Sequence, residues 1–310
     1  LPKERIVVIL GPTATGKSNC GIELAKRFRG EIISGDSMLV YRQMNIGTAK
    51  PSAEELQMAP HHLVDILPPD ASYSVADFQQ QAAELISKIT LRGNLPILVG
   101  GTGLYIKALL EDYQFSSVEE NPELRRQLEI FASEQGTDKL YARLKKEDPA
   151  AASRLHPNDV RRVVRALETA LSGDRVSQAK QNELKYDAAV FGLSMDRDFL
   201  YERINQRVDR MLEEGLEEEV RALMKAGVPT DCLSMKSLGY RQMAEYLTGK
   251  CDFAAAVDNI KKGTRHFAKR QITWYKKMPY IHWFTVDRNL NYEKIVTEMA
   301  DILEKKVKRM

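Results

Sequence analysis

The chain has 310 residues, 43% of them hydrophobic and 29% charged, which suits a globular protein of roughly two units of ~100–200 residues each. No run approaches the ~18 uninterrupted apolar residues of a membrane span, and Leu1 to Leu10 carries no signal-peptide cleavage pattern. The three cysteines, Cys20, Cys232 and Cys251, are scattered and lack CxxC spacing, which argues against a disulfide framework or a four-ligand zinc site; a cytoplasmic protein is expected, and its net charge of +3 is too small to imply a nucleic-acid partner by itself.

Ile6 to Leu10 reads as a buried strand, and the segment after it, Gly11-Pro12-Thr13-Ala14-Thr15-Gly16-Lys17-Ser18, fits G-x-x-x-x-G-K-[ST] at every fixed position. A helix is expected from about Asn19 to Phe28. In that context Gly11 and Gly16 let the backbone fold so that its N–H groups converge on phosphate oxygens, and the helix N-terminus adds partial positive charge. Lys17 can reach the distal phosphate, and the Ser18 hydroxyl can ligate magnesium. The loop implies a diphosphate or triphosphate ligand without saying which.

A second strand, Glu31 to Ser34, leads into Gly35-Asp36-Ser37-Met38-Leu39. Asp36 falls just past the strand's carboxyl end, the edge where open α/β sheets bind ligands, and a carboxylate there can take a proton from a nucleophile. A third strand is expected over Leu63 to Ile66. His61 and His62 are adjacent on an extended segment and point to opposite faces, so they read as structural rather than as a metal pair. Ser74 and Asp77 form a capping-box pattern opening a helix that runs through Phe78, Ala82, Leu85, Ile86 and Ile89.

A fourth strand, Leu95 to Val99, ends in Gly100-Gly101-Thr102-Gly103. It lacks the acid that a hydrolytic P-loop ATPase places there to orient water, and Asp65 is the only other option, in a poor context. Strands alternating with helices imply an α/β fold, a P-loop NTPase-like parallel sheet flanked by helices. The alternation stops between residues 116 and 187, where helices are expected over Pro122 to Glu134, Thr137 to Lys146 and Asp159 to Leu171. This stretch is read as an all-helical insertion domain between a first core part, 1–115, and a core completion with basic C-terminal helices, 188–310. Within the latter, Ala189 to Leu193 and Ile281 to Val286 read as strands. Arg197 to Glu214 reads as a helix with Leu200, Ile204, Val208 and Met211 on one face.

Between Asp258 and Asp287 there is no acid, while Lys261, Lys262, Arg265, Lys269, Arg270, Lys276 and Lys277 are interleaved with Phe267, Trp274 and Tyr275. Such a block is either a solvated face or faces a polyanion. The cluster Arg161, Arg162 and Arg165 either grips RNA or pairs with acids such as Glu168.

Taken in order, these segments resemble one family, the transfer RNA dimethylallyltransferases. The resemblance rests on GPTATGKS at 11–18, SGDSMLVYRQMNIGTAKP at 34–51, PHHLVDI at 60–66, YSVADF at 73–78 and LPILVGGTGLYIKALL at 95–110. It continues through HPNDVRRVVRALE at 156–168, RINQRVDRMLEEGLEEEV at 203–220, SLGYRQM at 237–243 and TRHFAKRQITWYKK at 264–277. It implies that the loop holds the diphosphate of dimethylallyl diphosphate, with Mg2+ and no ATP consumed, and that the acceptor is the amine of an adenosine beside the anticodon. Asp36 matches the general base, Thr13 a contact to the bridging oxygen, Lys17 and Arg207 cations on the diphosphate, and Ser18 the magnesium contact.

The diphosphate set implied is Gly11, Pro12, Thr13, Ala14, Thr15, Gly16, Lys17, Ser18 and Arg207. Implied contacts to the tRNA anticodon stem-loop are Asp36, Ser37, Met38, Leu39, Thr102 and Arg125, then Arg161, Arg162 and Arg165. Further along they are Lys236, Gly239, Tyr240, Arg241, Lys269, Arg270, Gln271, Trp274 and Lys276. A monomer with no membrane partner is expected. Two other readings fit the loop alone: a P-loop kinase of a nucleotide or small metabolite, and a noncatalytic RNA-binding protein that senses nucleotide.

Overall fold

Alternate residues of the central strands feed two separate cores. Ile6, Val8, Leu10, Ile33 and Leu98 enter one, while Val7, Ile9, Ile32, Ile97 and Val99 enter the other. With a period of two, a strand that is apolar at every position must be covered on both faces, which the sequence signals as unbroken hydrophobic runs.

The computed structural model describes residues 2–115, 121–173, 178–179 and 183–308. In chain order its elements begin β1 (Arg5–Leu10), α1 (Lys17–Phe28), β2 (Gly30–Ser34), α2 (Ala53–Met58), β3 (His61–His62), α3 (Val75–Leu91), β4 (Leu95–Gly100) and α4 (Gly103–Leu110). Next come β5 (Tyr113–Gln114), α5 (Pro122–Gln135), α6 (Thr137–Glu147), α7 (Pro149–Ala152), α8 (Val160–Leu171) and β6 (Gln178–Ala179). The chain continues with β7 (Asp187–Met195), α9 (Arg197–Glu213), α10 (Leu216–Lys225), α11 (Tyr240–Leu247), α12 (Phe253–Tyr275), β8 (His282–Val286) and α13 (Tyr292–Lys308).

The elements divide into two compact units: Leu1–Leu110 with Leu184–Met310, and Glu111–Glu183. The first holds a six-stranded sheet in the order β3-β2-β4-β1-β7-β8, parallel throughout. Cys20, Ile22 and Leu24 of α1 and Val296, Met299 and Leu303 of α13 cover one face. Helices α3, α4, α10, α11 and α12 supply the other core, through residues such as Phe78, Ile106, Val220, Met243 and Tyr275. The carboxyl ends of β1, β4 and β2 therefore lie side by side, where such sheets bind ligands. No helix among the described residues is long and apolar enough to cross a membrane.

The second unit has its own core of Leu128, Leu140, Leu144, Val163 and Leu167 on α5, α6 and α8. Glu168 is fully buried there, and its carboxylate accepts hydrogen bonds from the Asn121 N–H at 2.6 Å, from Arg125 at 3.0 Å and from Arg165 at 2.5 Å. Burial opposes that charge, but these donors hold the carboxyl below the usual range. An isolated carboxylate could not remain charged in such a place.

Two local expectations are corrected. Leu63 to Ile66 is not a strand; the pairing with β2 lies at His61 and His62, and Leu63 and Asp65 then take φ of 61° and 55°, which ends the extended run. The stretch read as strandless carries one short ladder, in which Tyr113–Gln114 pairs antiparallel with Gln178–Ala179, two residues being too few to show a period. The boundary expected at residue 116 lies outside the described residues. The two histidines behave as structural groups: His61 Nδ1 contacts the Ala59 carbonyl at 2.8 Å, and His62 Nε2 contacts Glu31 at 2.7 Å.

Glu31 is a buried carboxylate on β2, held also by Arg92 at 2.7 and 3.1 Å and by Asn94 at 2.8 Å. Burial alone would raise its carboxyl, but the bonds from Arg92, Asn94 and His62 outweigh that and bring it down to about 2. Because the folded value lies below the ordinary 4.5, the stabilisation is complete above that pH and drains away as pH falls toward 2. Urea midpoints should therefore drop as pH falls through this window. Glu31→Gln should cost about 1–3 kcal/mol at neutral pH and flatten the acid limb; parallel pH curves for the two proteins would contradict this.

Candidate functional site

The turn from β1 to α1 folds as the glycine pattern requires. Gly11 has φ of 156°, Ala14 68° and Gly16 86°, the last serving as N-cap of α1. Thr15 is fully buried and its hydroxyl donates to the Pro12 carbonyl at 2.8 Å, locking the loop from inside. Lys17 Nζ donates to the same carbonyl at 2.8 Å, so its ammonium curls over the loop instead of extending into solvent. Burial, then the neighbouring Arg207, pull the Lys17 ammonium down to about 8, with Asp36 acting against them. Ser18 and Asn19, on the first turn of α1, are exposed.

Two other chain segments support the loop. From α12, the buried Gln271 accepts from the Thr13 N–H at 3.1 Å and donates to the Gly101 carbonyl at 2.8 Å. Tyr275 of the same helix donates to that carbonyl at 2.7 Å and lies 3.4 Å from the Gly11 carbonyl. The phosphate loop and the glycine turn after β4 are thus tied to each other through one helix. From α9, Arg203 Nε donates to the Ala14 carbonyl at 2.8 Å.

Arg207 and Arg210 follow Arg203 at helical spacing, and all three line one cavity with Lys17 and Ser18. This cavity measures about 650 Å³ and extends to the 45–56 segment, including Asn45, Lys50 and Glu55. Arg207 is partly buried, and among the described residues it has no hydrogen-bond or ion-pair partner. Burial lowers its pKa while Asp36 opposes the shift. A desolvated guanidinium without an anion is costly to hold, so the arrangement is most stable once an anion enters.

The far wall is fixed by carboxylates. Glu219 of α10 accepts from the N–H groups of Asn45, Ile46 and Gly47 at 2.8–3.2 Å and from the Tyr240 hydroxyl at 2.5 Å. Lys50 reaches the Tyr41 carbonyl at 2.7 Å and also pairs with Asp65, which is thereby committed to structure.

Asp36 stands at the end of β2. Its Oδ1 accepts from the Met38 N–H at 2.9 Å, an Asx turn that fixes the carboxylate, and its other oxygen has no hydrogen bond among the described residues. Thr102 Oγ1, at the end of β4, accepts from the Ser37 N–H at 3.1 Å. The two turns meet backbone to backbone: a Cβ on Gly100 would lie 2.3 Å from Gly35, so no other residue fits there. Asp36 does not line the cavity, but it is within electrostatic reach of both Lys17 and Arg207.

Other expected contacts are distributed unevenly. Ser37, Met38, Leu39 and Thr102 are partly exposed near Asp36, while Lys236, Arg241, Lys269, Arg270 and Lys276 are exposed. In α12, Lys261 and Lys262 pair with Asp209 and Asp258, and Arg265 donates to Asn205. The unneutralised charge of that helix therefore sits toward its C-terminal end. Trp274 packs against Gly103. Gly239, Tyr240 and Gln271, also expected at the RNA, are buried, and the two side chains bond Glu219, Thr13 and Gly101. In the second unit Arg125 and Arg165 bind Glu168 and Arg162 pairs with Asp159, leaving Arg161 exposed. Sequence reasoning missed Arg203, Arg210 and Tyr292; the arginines form a basic stripe at i, i+4 and i+7 with Arg207, flanking the apolar one.

The family model described as "IPP transferase" matches residues 39–278. The tRNA dimethylallyltransferase of Oceanobacillus iheyensis is 46% identical over 98% of this chain and 99% of that one. The tRNA dimethylallyltransferase of Bacillus subtilis is 46% identical over 97% and 98%. Among solved structures, the full-length tRNA isopentenylpyrophosphate transferase of Bacillus halodurans aligns with a TM-score of 0.76 at 44% identity, covering 99% of this chain and 98% of that one. A eukaryotic dimethylallyltransferase acting on tRNA aligns with a TM-score of 0.80 at 28% identity, covering 97% and 80%. With matches of this extent on top of the phosphate loop and its arginine helix, the chain belongs to the IPP transferase family.

Proposed function

We infer that this chain transfers a dimethylallyl group from dimethylallyl diphosphate to the exocyclic amine of the adenosine 3′ to the anticodon of a transfer RNA. The observation that carries this reading is the set of unneutralised cations around the phosphate loop with a fixed carboxylate, Asp36, within reach of them. An allylic diphosphate ionises readily, so the protein's main task is to hold the departing anion. Loop amides from Ala14 to Ser18, with Lys17, Arg203 and Arg207, suit that task. Thr13, whose N–H is bound to Gln271, offers its hydroxyl to the bridging oxygen.

As the C–O bond breaks, its electron pair leaves on the diphosphate. The amine nitrogen forms the new bond to the allylic carbon, and its proton passes toward Asp36. The adenine must leave its stack to reach this point, and Ser37, Met38, Leu39 and Thr102 are the exposed groups around it. Lys236, Arg241, Lys269, Arg270 and Lys276 offer phosphate contacts, and the unit built on α5, α6 and α8, with Arg161 exposed, serves as an anticodon stem-loop module. Such a substrate places the enzyme in the cytoplasm.

The donor set also fits a magnesium ion. Among the described residues no three His, Cys, Asp or Glu side chains converge, which rules against an all-protein cage there. The exposed Ser18 hydroxyl beside a bound diphosphate matches the way magnesium is held, by phosphate oxygens, water and one or two protein oxygens. When bound, the ion neutralises charge on the leaving group.

Incubation with magnesium, labelled dimethylallyl diphosphate and either transfer RNA or AMP tests the reading. Label should appear in transfer RNA alone; label in AMP, or none transferred, would overturn it. In the same assay Asp36→Asn should lower turnover by about 10²-fold or more, the usual worth of a positioned base, while RNA affinity is unchanged. Parallel losses of both would reassign Asp36 to positioning.

A further inference from the structure

One wall of the cavity comes from far along the chain. Tyr292 opens α13, and the hydroxyl end of its ring lies against Gly16: a Cβ at position 16 would sit 2.4 Å from ring carbons Cε1 and Cζ and 2.5 Å from the hydroxyl oxygen. Gly16 is thus demanded twice, by its left-handed φ of 86° and by this ring. The helix bearing Tyr292 is anchored, since Ile295, Val296 and Met299 pack into the core shared with α1. A tight turn, with the Tyr292 N–H donating to the Leu290 carbonyl at 2.7 Å, sets where the ring begins.

The ring's hydroxyl shares with that of Tyr41 an uncommon state. Tyr292 Oη is buried and has no hydrogen-bond partner among the described residues, although buried hydroxyls are nearly always satisfied. Tyr292 as a residue lines the same cavity as Lys17, Ser18, Arg203 and Arg207, at the N-terminus of α1. Packing alone would be met by phenylalanine. A polar atom left unpaired beside a cavity lined by Lys17, Arg203 and Arg207 points to a partner that arrives with the ligand.

We propose that the Tyr292 hydroxyl is a further diphosphate ligand of this chain, donating a hydrogen bond to the phosphoryl oxygens seated over Gly16 and the first turn of α1. This rests on the diphosphate reading of the loop given above. Burial pushes the Tyr292 phenol up, with Arg203 acting against it, so the group remains a donor at neutral pH. The bond is made to donor substrate and to released diphosphate alike, so it contributes to binding rather than to the chemical step.

Tyr292→Phe keeps the ring over Gly16 and removes only the donor. Titration of inorganic pyrophosphate with magnesium should show binding about ten-fold weaker in the variant, the loss expected for a hydrogen bond to a charged group. KM for dimethylallyl diphosphate should rise to match while kcat holds, and the thermal midpoint of the ligand-free protein should not fall. Equal pyrophosphate affinity in variant and wild type would overturn the proposal, as would a wild type that binds no pyrophosphate. Weaker pyrophosphate binding by the variant, in a wild type that prenylates no RNA, would sustain the Tyr292 assignment while the transfer reading falls.

Discussion

The site depends on positive charge held partly out of water, with Asp36 and Glu214 acting on it only at a distance. Lys17 curls onto a loop carbonyl, Arg203 is tied to another, and Arg207 has no partner among the described residues. After burial, Arg207 pulls the Lys17 pKa down and Arg210 and Arg203 pull that of Arg207 down, while Asp36 opposes both shifts and Glu214 opposes the second. A polyanion placed among them removes that penalty at once. Such an arrangement favours a group whose negative charge grows as a bond breaks, which is the property wanted for a departing diphosphate.

Everything around this charge cluster serves to keep its geometry fixed. Gln271 and Tyr275 bind the phosphate loop and the glycine turn after β4 to the same helix, so the carboxyl ends of β1 and β4 hold their relation. The β2 turn that carries Asp36 is locked to β4 by Thr102 and by the contact of Gly35 with Gly100. Glu219 does the same for the opposite wall by gathering three consecutive backbone N–H groups. Side chains that look ready for an RNA partner are in part these internal braces.

That distinction marks how far the sequence could be read. The phosphate loop, Asp36 and five of the six sheet strands were legible, because buried parallel strands are short unbroken apolar runs and the loop's glycines have fixed spacing. The β3 segment was misplaced by two residues, since positive φ at Leu63 and Asp65 leaves no mark on hydrophobicity. The bonds by which Gln271 and Tyr240 brace the fold are not visible in a sequence, which shows polarity but not direction. Arg203 and Arg210 could have been found by completing the stripe that contains Arg207. Tyr292 could not, because its meaning lies in the ring's contact with a glycine at the other end of the chain.

For transfer to occur here, a diphosphate seated on the loop amides must turn its reactive carbon toward Asp36. A crystal structure with magnesium and the unreactive thiolo analogue of dimethylallyl diphosphate tests it most directly. Phosphate oxygens should lie within hydrogen-bond distance of the 14–18 amides and of Arg207, with the allylic carbon directed at the Asp36 carboxylate. Diphosphate bound elsewhere, or an allyl chain pointing away from Asp36, would contradict it.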